Sequence, residues 1–213
     1  MENSNYRLEA FSDGVFAIAL TLLIIEIKIP AVESVHTSKE LWNAFAHNWP
    51  SWLAFFVSFI TILISWVAHS HIFKLIGKST NKLIYTNAFL LLSVITLPFF
   101  TKVLAEYLTT DLAGPAITLY CGFSIIHSLS WIAIQHAILH RVPLCKPGVD
   151  LKKVKKAFNY TKFGLALDTF TFILSFWFPI TAFIIIILLY VGWLILGTNL
   201  KEETMIKLRW QYF

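Results

Sequence analysis

Long apolar stretches separated by short polar ones divide the chain into segments near Leu8–Ile29, Trp49–Phe73, Leu83–Leu108, Ala116–His140, Ala157–Phe178 and Ile180–Asn199. Each approaches the roughly 20 residues with which a helix crosses a ~30 Å hydrocarbon core. The pattern therefore predicts an all-α integral membrane protein with six transmembrane helices. Proline marks several borders. Pro30 stops the first segment, because it donates no N–H and clashes with the preceding turn. Pro50 and Pro115 fall where a helix begins, a position that tolerates proline. Pro179 parts the last two segments into a tight hairpin, and Pro98 predicts a kink inside the third. The polar stretches around Glu33–Asn48 and Arg141–Lys156 read as loops, and residues 1–213 as a single six-helix transmembrane domain.

Composition agrees with a membrane setting. Of the 213 residues 57% are apolar and only 14% charged, with a mean hydropathy of +0.70, against about 25% charged in soluble domains. The net charge of +5 raises the question of nucleic acid, but the placement of the charges answers it as topology. With a cytoplasmic N-terminus and alternating spans, 14 of the 17 basic residues collect on the cytoplasmic side and only Lys28, Lys39 and Lys102 stay on the other. That division follows the positive-inside rule and puts both termini in the cytoplasm. Cys121 lies in an apolar run and Cys145 in a basic loop, so both read as free thiols. Arg7 followed by an apolar stretch imitates a signal peptide, but Glu26, Lys28 and Pro30 end the stretch without a cleavage pattern.

The first span is unusual in carrying Arg7, Ser12 and Asp13 at its mouth, where polar groups are costly unless paired or wet. Arg7 and Asp13 stand six apart, so they do not stack along one helix, and neighbouring helices or subunits are their expected partners. Interfacial anchoring and capping is the other reading. Further along, Ile18, Leu22 and Ile25 share a helical face by their i, i+4, i+7 spacing, and Thr21 adjoins it. Around a water-filled pore such a face forms a dry constriction that gates by dewetting. Against lipid the same spacing carries no meaning, since nearly every residue is apolar.

The run Arg7-x-x-x-Phe11-Ser12-Asp13, continued by Gly-Val-Phe-Ala-Ile-Ala-Leu-Thr-Leu-Leu, resembles the signature of the transmembrane protein 175 family of potassium channels. Eukaryotic members carry two six-span repeats in endosomes and lysosomes, and prokaryotic members carry one. The resemblance implies that the first helix lines a central pore, with four single-repeat subunits around it in a prokaryotic plasma membrane. It implies that Ile18 forms the narrow hydrophobic constriction, that Leu22 and Ile25 form further rings, and that Thr21 bears on ion selectivity. Arg7, Phe11, Ser12 and Asp13 then hold the pore helix through interhelical contacts. Trp66, His69, His71 and Asn87 lie at a similar depth and are the candidate partners of that network; interfacial contact with headgroups is the alternative for the histidines.

The expected activity is therefore a weakly discriminating, potassium-selective cation channel, without enzymatic activity, cofactor or nucleic-acid partner. No TVGYG-like filter or re-entrant half-helix is present in the sequence, so selection rests on a narrow hydrophobic pore. Two other classes fit some of these residues. A proton- or cation-coupled carrier finds support in Asp168, an acid inside the fifth span, and in Pro98. A haem or metal protein would use His69, His71, His127, His136 and His140, but His136 and His140 have no evident third ligand, and no metal is expected.

Overall fold

The computed structural model describes residues 5–140 and 144–209, and Arg141 of the topology argument lies outside them. Among the described residues the chain forms seven α-helices: α1 Tyr6–Leu22, α2 Ser38–His47, α3 Trp49–Leu75, α4 Asn81–Tyr107, α5 Ala113–Leu139, α6 Leu151–Ser175 and α7 Pro179–Arg209. Five spans are long and apolar enough to cross a membrane: α1 continued to Ile25, α3, α4, α5 and α7. The sixth expected span corresponds to α6, whose 25 residues suffice in length at ~1.5 Å per residue. Its first turns carry Lys152, Lys155 and Lys156, which lower its apolarity. It starts earlier than hydropathy predicts because Asp150 caps it, accepting from the Lys152 backbone N–H at 2.9 Å.

Two expectations are corrected. The first apolar segment does not remain α-helical to Ile29: α1 ends at Leu22, a 3₁₀ turn covers Leu23–Glu26, and Ile27 is extended. Beyond it the chain is tethered sideways, with the Asn48 amide donating to the Lys28 carbonyl at 3.0 Å and Lys28 Nζ pairing with Glu106 at 2.7 Å. The stretch around Glu33–Asn48 is not all loop, because it contains α2. A capping box starts that helix: Glu40 N–H donates to Thr37 Oγ1 at 3.2 Å, and Thr37 N–H to the Glu40 carboxylate at 3.1 Å. The pair satisfies two backbone donors that the first turn would otherwise leave open.

Other borders have equally local causes. Thr80 caps α4 by accepting from Leu83 N–H at 3.3 Å. α4 runs through Pro98 as one helix. Between α6 and α7 only residues 176–178 intervene, and Pro179 opens α7, a first-turn position that loses no hydrogen bond.

In the packed bundle α5 lies against α4, α6 and α7, while α1 rests on α3 and α4. A main apolar core joins Phe16 and Ala19 of α1, and Leu23 of the turn that follows it, to Leu91, Val94, Tyr120 and Phe183. A second core closes the end where α1 begins, with Ile72, Phe73, Ile76, Leu83, Ile134, Ile138 and Leu144, and Leu8 packed against it. At the same end an isolated antiparallel bridge pairs Ile76 with Cys145. Lipid tails are as apolar as leucine, so these cores are held by close packing and interhelical hydrogen bonds rather than by exclusion of water.

Candidate functional site

The helical period splits α1 into two faces. Ser12, Phe16, Ala19 and Leu23 are buried against α3 and α4. On the opposite side Phe11, Ile18, Leu22 and Ile25 are 63%, 59%, 47% and 70% exposed in the single chain. Beside them runs a stripe of exposed small residues, Ala10, Gly14 and Ala17, ending at Thr21. A side chain added at Gly14 would meet nothing within 4 Å, so the helix's own bundle does not require glycine there. Thr21 turns its hydroxyl back onto the Ile18 carbonyl at 2.9 Å. Ile18, Thr21 and Leu22 thus stand together on one open face, and Ile25 continues it on the 3₁₀ turn.

The buried face is fixed by a chain of side-chain hydrogen bonds across three helices. Asn87 Nδ2 of α4 donates to Ser12 Oγ at 2.9 Å, and the Ser12 hydroxyl in turn donates to the Leu8 carbonyl at 2.8 Å. His69 Nε2 of α3 lies 2.8 Å from Asn87 Oδ1, a geometry that puts the ring proton on Nε2. The imidazole is stacked on Phe73 at 4.0 Å and tilted against Phe16 at 5.4 Å. One turn away, Trp66 Nε1 donates to Asp13 Oδ1 at 2.9 Å. Ser12, Asp13, Trp66, His69 and Asn87 are therefore brought together. His71 is half-buried and, two positions beyond His69 on the helix, leaves the axis on roughly the opposite side. Arg7 and Phe11 are exposed on the single chain; neither joins these bonds among the described residues.

Sequence reasoning missed a second polar layer. His127 of α5 bonds through both ring nitrogens, Nε2 to Ser65 of α3 and Nδ1 to Ser93 of α4, each at 2.9 Å. Asp168 of α6 accepts a hydrogen bond from Ser128 of α5, and Ser58 of α3 meets Thr101 of α4. The available signal was the recurrence of Ser and Thr inside apolar helices, where such hydroxyls commonly bond across to a neighbour. His136 and His140 stack on each other at 4.7 Å.

This arrangement defines a helical membrane protein whose first helix is locked on one face by polar bonds and open and apolar on the other. The family profile described as endosomal/lysosomal potassium channel TMEM175 matches residues 7–98, from the motif arginine to Pro98. A potassium channel of Chamaesiphon minutus is 38% identical over 80% of this chain and 83% of its own length. A Streptomyces collinus potassium channel is 38% identical over 70% of this chain and 71% of its own. The chicken endosomal/lysosomal proton channel TMEM175 is 33% identical over 76% of this chain but only 34% of its own length. Among solved structures, the crystal structure of a lysosomal potassium-selective channel TMEM175 homolog from Chamaesiphon minutus superposes with a TM-score of 0.79 at 34% identity, covering 90% of this chain and 96% of that one. The chain belongs to the TMEM175 family, in its single-repeat, prokaryotic type. That family consists of ion channels and not enzymes.

Proposed function

We propose that the protein is one subunit of a potassium-selective, weakly discriminating cation channel of the prokaryotic plasma membrane, with four copies set around their α1 helices. Six spans, α1 and α3–α7, cross the bilayer and leave both termini in the cytoplasm. The observation that carries the reading is the two-faced α1. Its polar anchor points into the subunit, while the apolar stripe Ile18, Leu22 and Ile25 faces out of it. A small-residue stripe beside an apolar one suits close approach of a second helix, and rings of branched side chains suit a dewetting constriction. Ile18 is the narrowest point, Leu22 and Ile25 are further rings, and Thr21 supplies the hydroxyl nearest the ion's path. Arg7 and Phe11, exposed on the single chain, face the neighbouring subunits. Permeant potassium replaces any resident cofactor.

The test is reconstitution in potassium-loaded liposomes, with passive flux compared for potassium and sodium. Flux that runs down its gradient and favours potassium supports the channel. Accumulation against a gradient would turn the assignment to a coupled carrier, the reading that buried Asp168 favours. A carrier usually also has broken helices near the midplane, whereas α4 is continuous through Pro98.

A further inference from the structure

The end of the bundle where α1 begins carries a group of exposed lysines. Lys74 and Lys78 flank the turn between α3 and α4, and Lys82 lies in the first turn of α4. Lys146 sits between α5 and α6, and Lys152 and Lys155 lie in the first turns of α6; all six are exposed. Among the described residues none of their ammonium groups meets a carboxylate. Of the acids described at this end, Asp150 caps α6, Asp13 accepts from Trp66, and Glu9 stands in the first turn of α1. The ion pair of Lys28 and Glu106 belongs to the opposite end.

These lysines are held in a fixed frame. The Ile76–Cys145 bridge joins the two loops, with Gly77 N–H donating to the Leu144 carbonyl and Lys146 N–H to the Leu75 carbonyl, both at 2.8 Å. Lys146 Nζ also donates to the Lys74 carbonyl at 2.9 Å. The loops lie so close at Gly77 that an added Cβ would stand 3.1 Å from Lys146 Cγ and 3.3 Å from its Cα. A general bias of positive charge to one side of a membrane explains lysines in these loops, but it does not call for two loops stapled into one surface. The same frame reaches the pore helix. Asn5 Nδ2 donates to the Ile76 carbonyl at 3.1 Å, and Leu8 packs on the core beneath the bridge.

We propose that this stapled lysine surface binds the phosphate headgroups of anionic phospholipids, and that its occupancy is transmitted to α1 through Asn5. The charge is complementary, and lysines near an anionic membrane surface each contribute favourably to attraction. Their height is suitable too. The start of α6, with Lys152, Lys155 and Lys156, is too polar for hydrocarbon, and two lysines of this helix set their ammonium groups over aromatic rings, Lys162 Nζ 4.4 Å from the centre of Phe158 and Lys156 Nζ 5.8 Å from that of Tyr160.

The lipid binding rests only on the chain lying in a membrane, and the transmission through Asn5 rests also on the channel reading. Its test uses the full-length protein in phosphatidylcholine vesicles with a trace of spin-labelled phosphatidylglycerol or spin-labelled phosphatidylcholine, read by electron paramagnetic resonance. At low salt the motionally restricted fraction should be severalfold larger for the phosphatidylglycerol probe, and high salt should abolish the excess. Replacing Lys74, Lys78, Lys152 and Lys155 with Gln should remove most of the excess, whereas Lys39→Gln should leave it unchanged. Equal retention of the two probes by the wild-type chain overturns the proposal, as does an excess untouched by salt. The salt comparison needs no variant, so the answer survives a lysine variant that fails to fold. Retention does not depend on conduction and remains readable if potassium flux is absent. Where flux is present, it should change with phosphatidylglycerol content in the wild type and not in Asn5→Ala, which should retain the lipid. Equal lipid dependence of flux in both chains overturns the transmission through Asn5.

Discussion

Asn87 of α4 donates its side-chain amide to Ser12 of α1 across 2.9 Å, and this bond, with His69 2.8 Å away on the carbonyl oxygen of the same amide, ties three helices through one side chain. An asparagine is suited to the junction because it offers a donor to one neighbour and an acceptor to the other. Neither leucine nor aspartate offers both at neutral pH.

Asn87→Leu should therefore remove two interhelical bonds at once. Each such bond is worth somewhat under about 1 kcal/mol in a membrane bundle, and buried groups left without a partner raise the cost. The expected loss is about 1–2 kcal/mol, visible as a lower thermal unfolding temperature in detergent. Ser12→Ala removes only one of the two bonds and should lose less. Equal stability of both variants and wild type would mean that the network does not hold α1.

Ile18→Asn should wet the constriction, raising potassium flux in liposomes and narrowing the difference between potassium and sodium. A polar side chain lowers the dewetting barrier that a branched aliphatic ring imposes. Unchanged flux would remove Ile18 from the narrowest point of the pore.

Asp13→Ala should reduce the yield of assembled protein more than it alters permeation, because Asp13 is bound to Trp66 of α3. Asp13→Asn keeps an oxygen for the indole N–H and should assemble better than the alanine variant. Arg7→Ala, which removes a charge exposed on the single subunit, should also act on assembly. Size-exclusion profiles alongside flux separate the two effects. A wild-type yield of assembled protein with altered selectivity would contradict the prediction for either residue.

Cys145 should alkylate slowly at neutral pH. Its partial burial beside the Ile76 bridge raises the thiol pKa above the ordinary value, and the thiolate is the reactive form. The rate of reaction with a water-soluble maleimide, followed by mass, should thus rise at higher pH than for a free cysteine in solution. Cys121 is fully buried and should stay unmodified until the protein unfolds. A rate at Cys145 equal to that of free cysteine would show that the two loops part in solution.

Much of the bundle is legible in hydropathy because the bilayer imposes a length and an apolarity on whatever crosses it. The stripe of Ile18, Leu22 and Ile25 is likewise visible as spacing. What hydropathy could not decide was whether that stripe looked into the subunit or out of it, since apolar residues surround every helix. The packing of Phe16 and Ser12 on the other face answers that for the single chain. The early end of α1 was hidden because Pro30 acts on the turn just before it, while the chain is drawn aside by Asn48 and Glu106, both distant in sequence. By contrast α2 is legible: Thr37 and Glu40 stand at capping-box spacing, a signal that polarity alone passes over. The His127 and Asp168 bonds lay out of reach because periodicity does not tell which serine of one helix meets which acceptor of another.

The division of α1 into two faces also bears on how such a protein can change over generations. The residues that hold the helix in place, Ser12 and Asp13 with Phe16, Ala19 and Leu23, share no position with the outward stripe of Ile18, Thr21, Leu22 and Ile25. Substitutions along the stripe leave every tether of the helix intact. One short helix thus carries two separately variable sets of residues, one that fixes where it stands and one that it leaves facing out of the subunit.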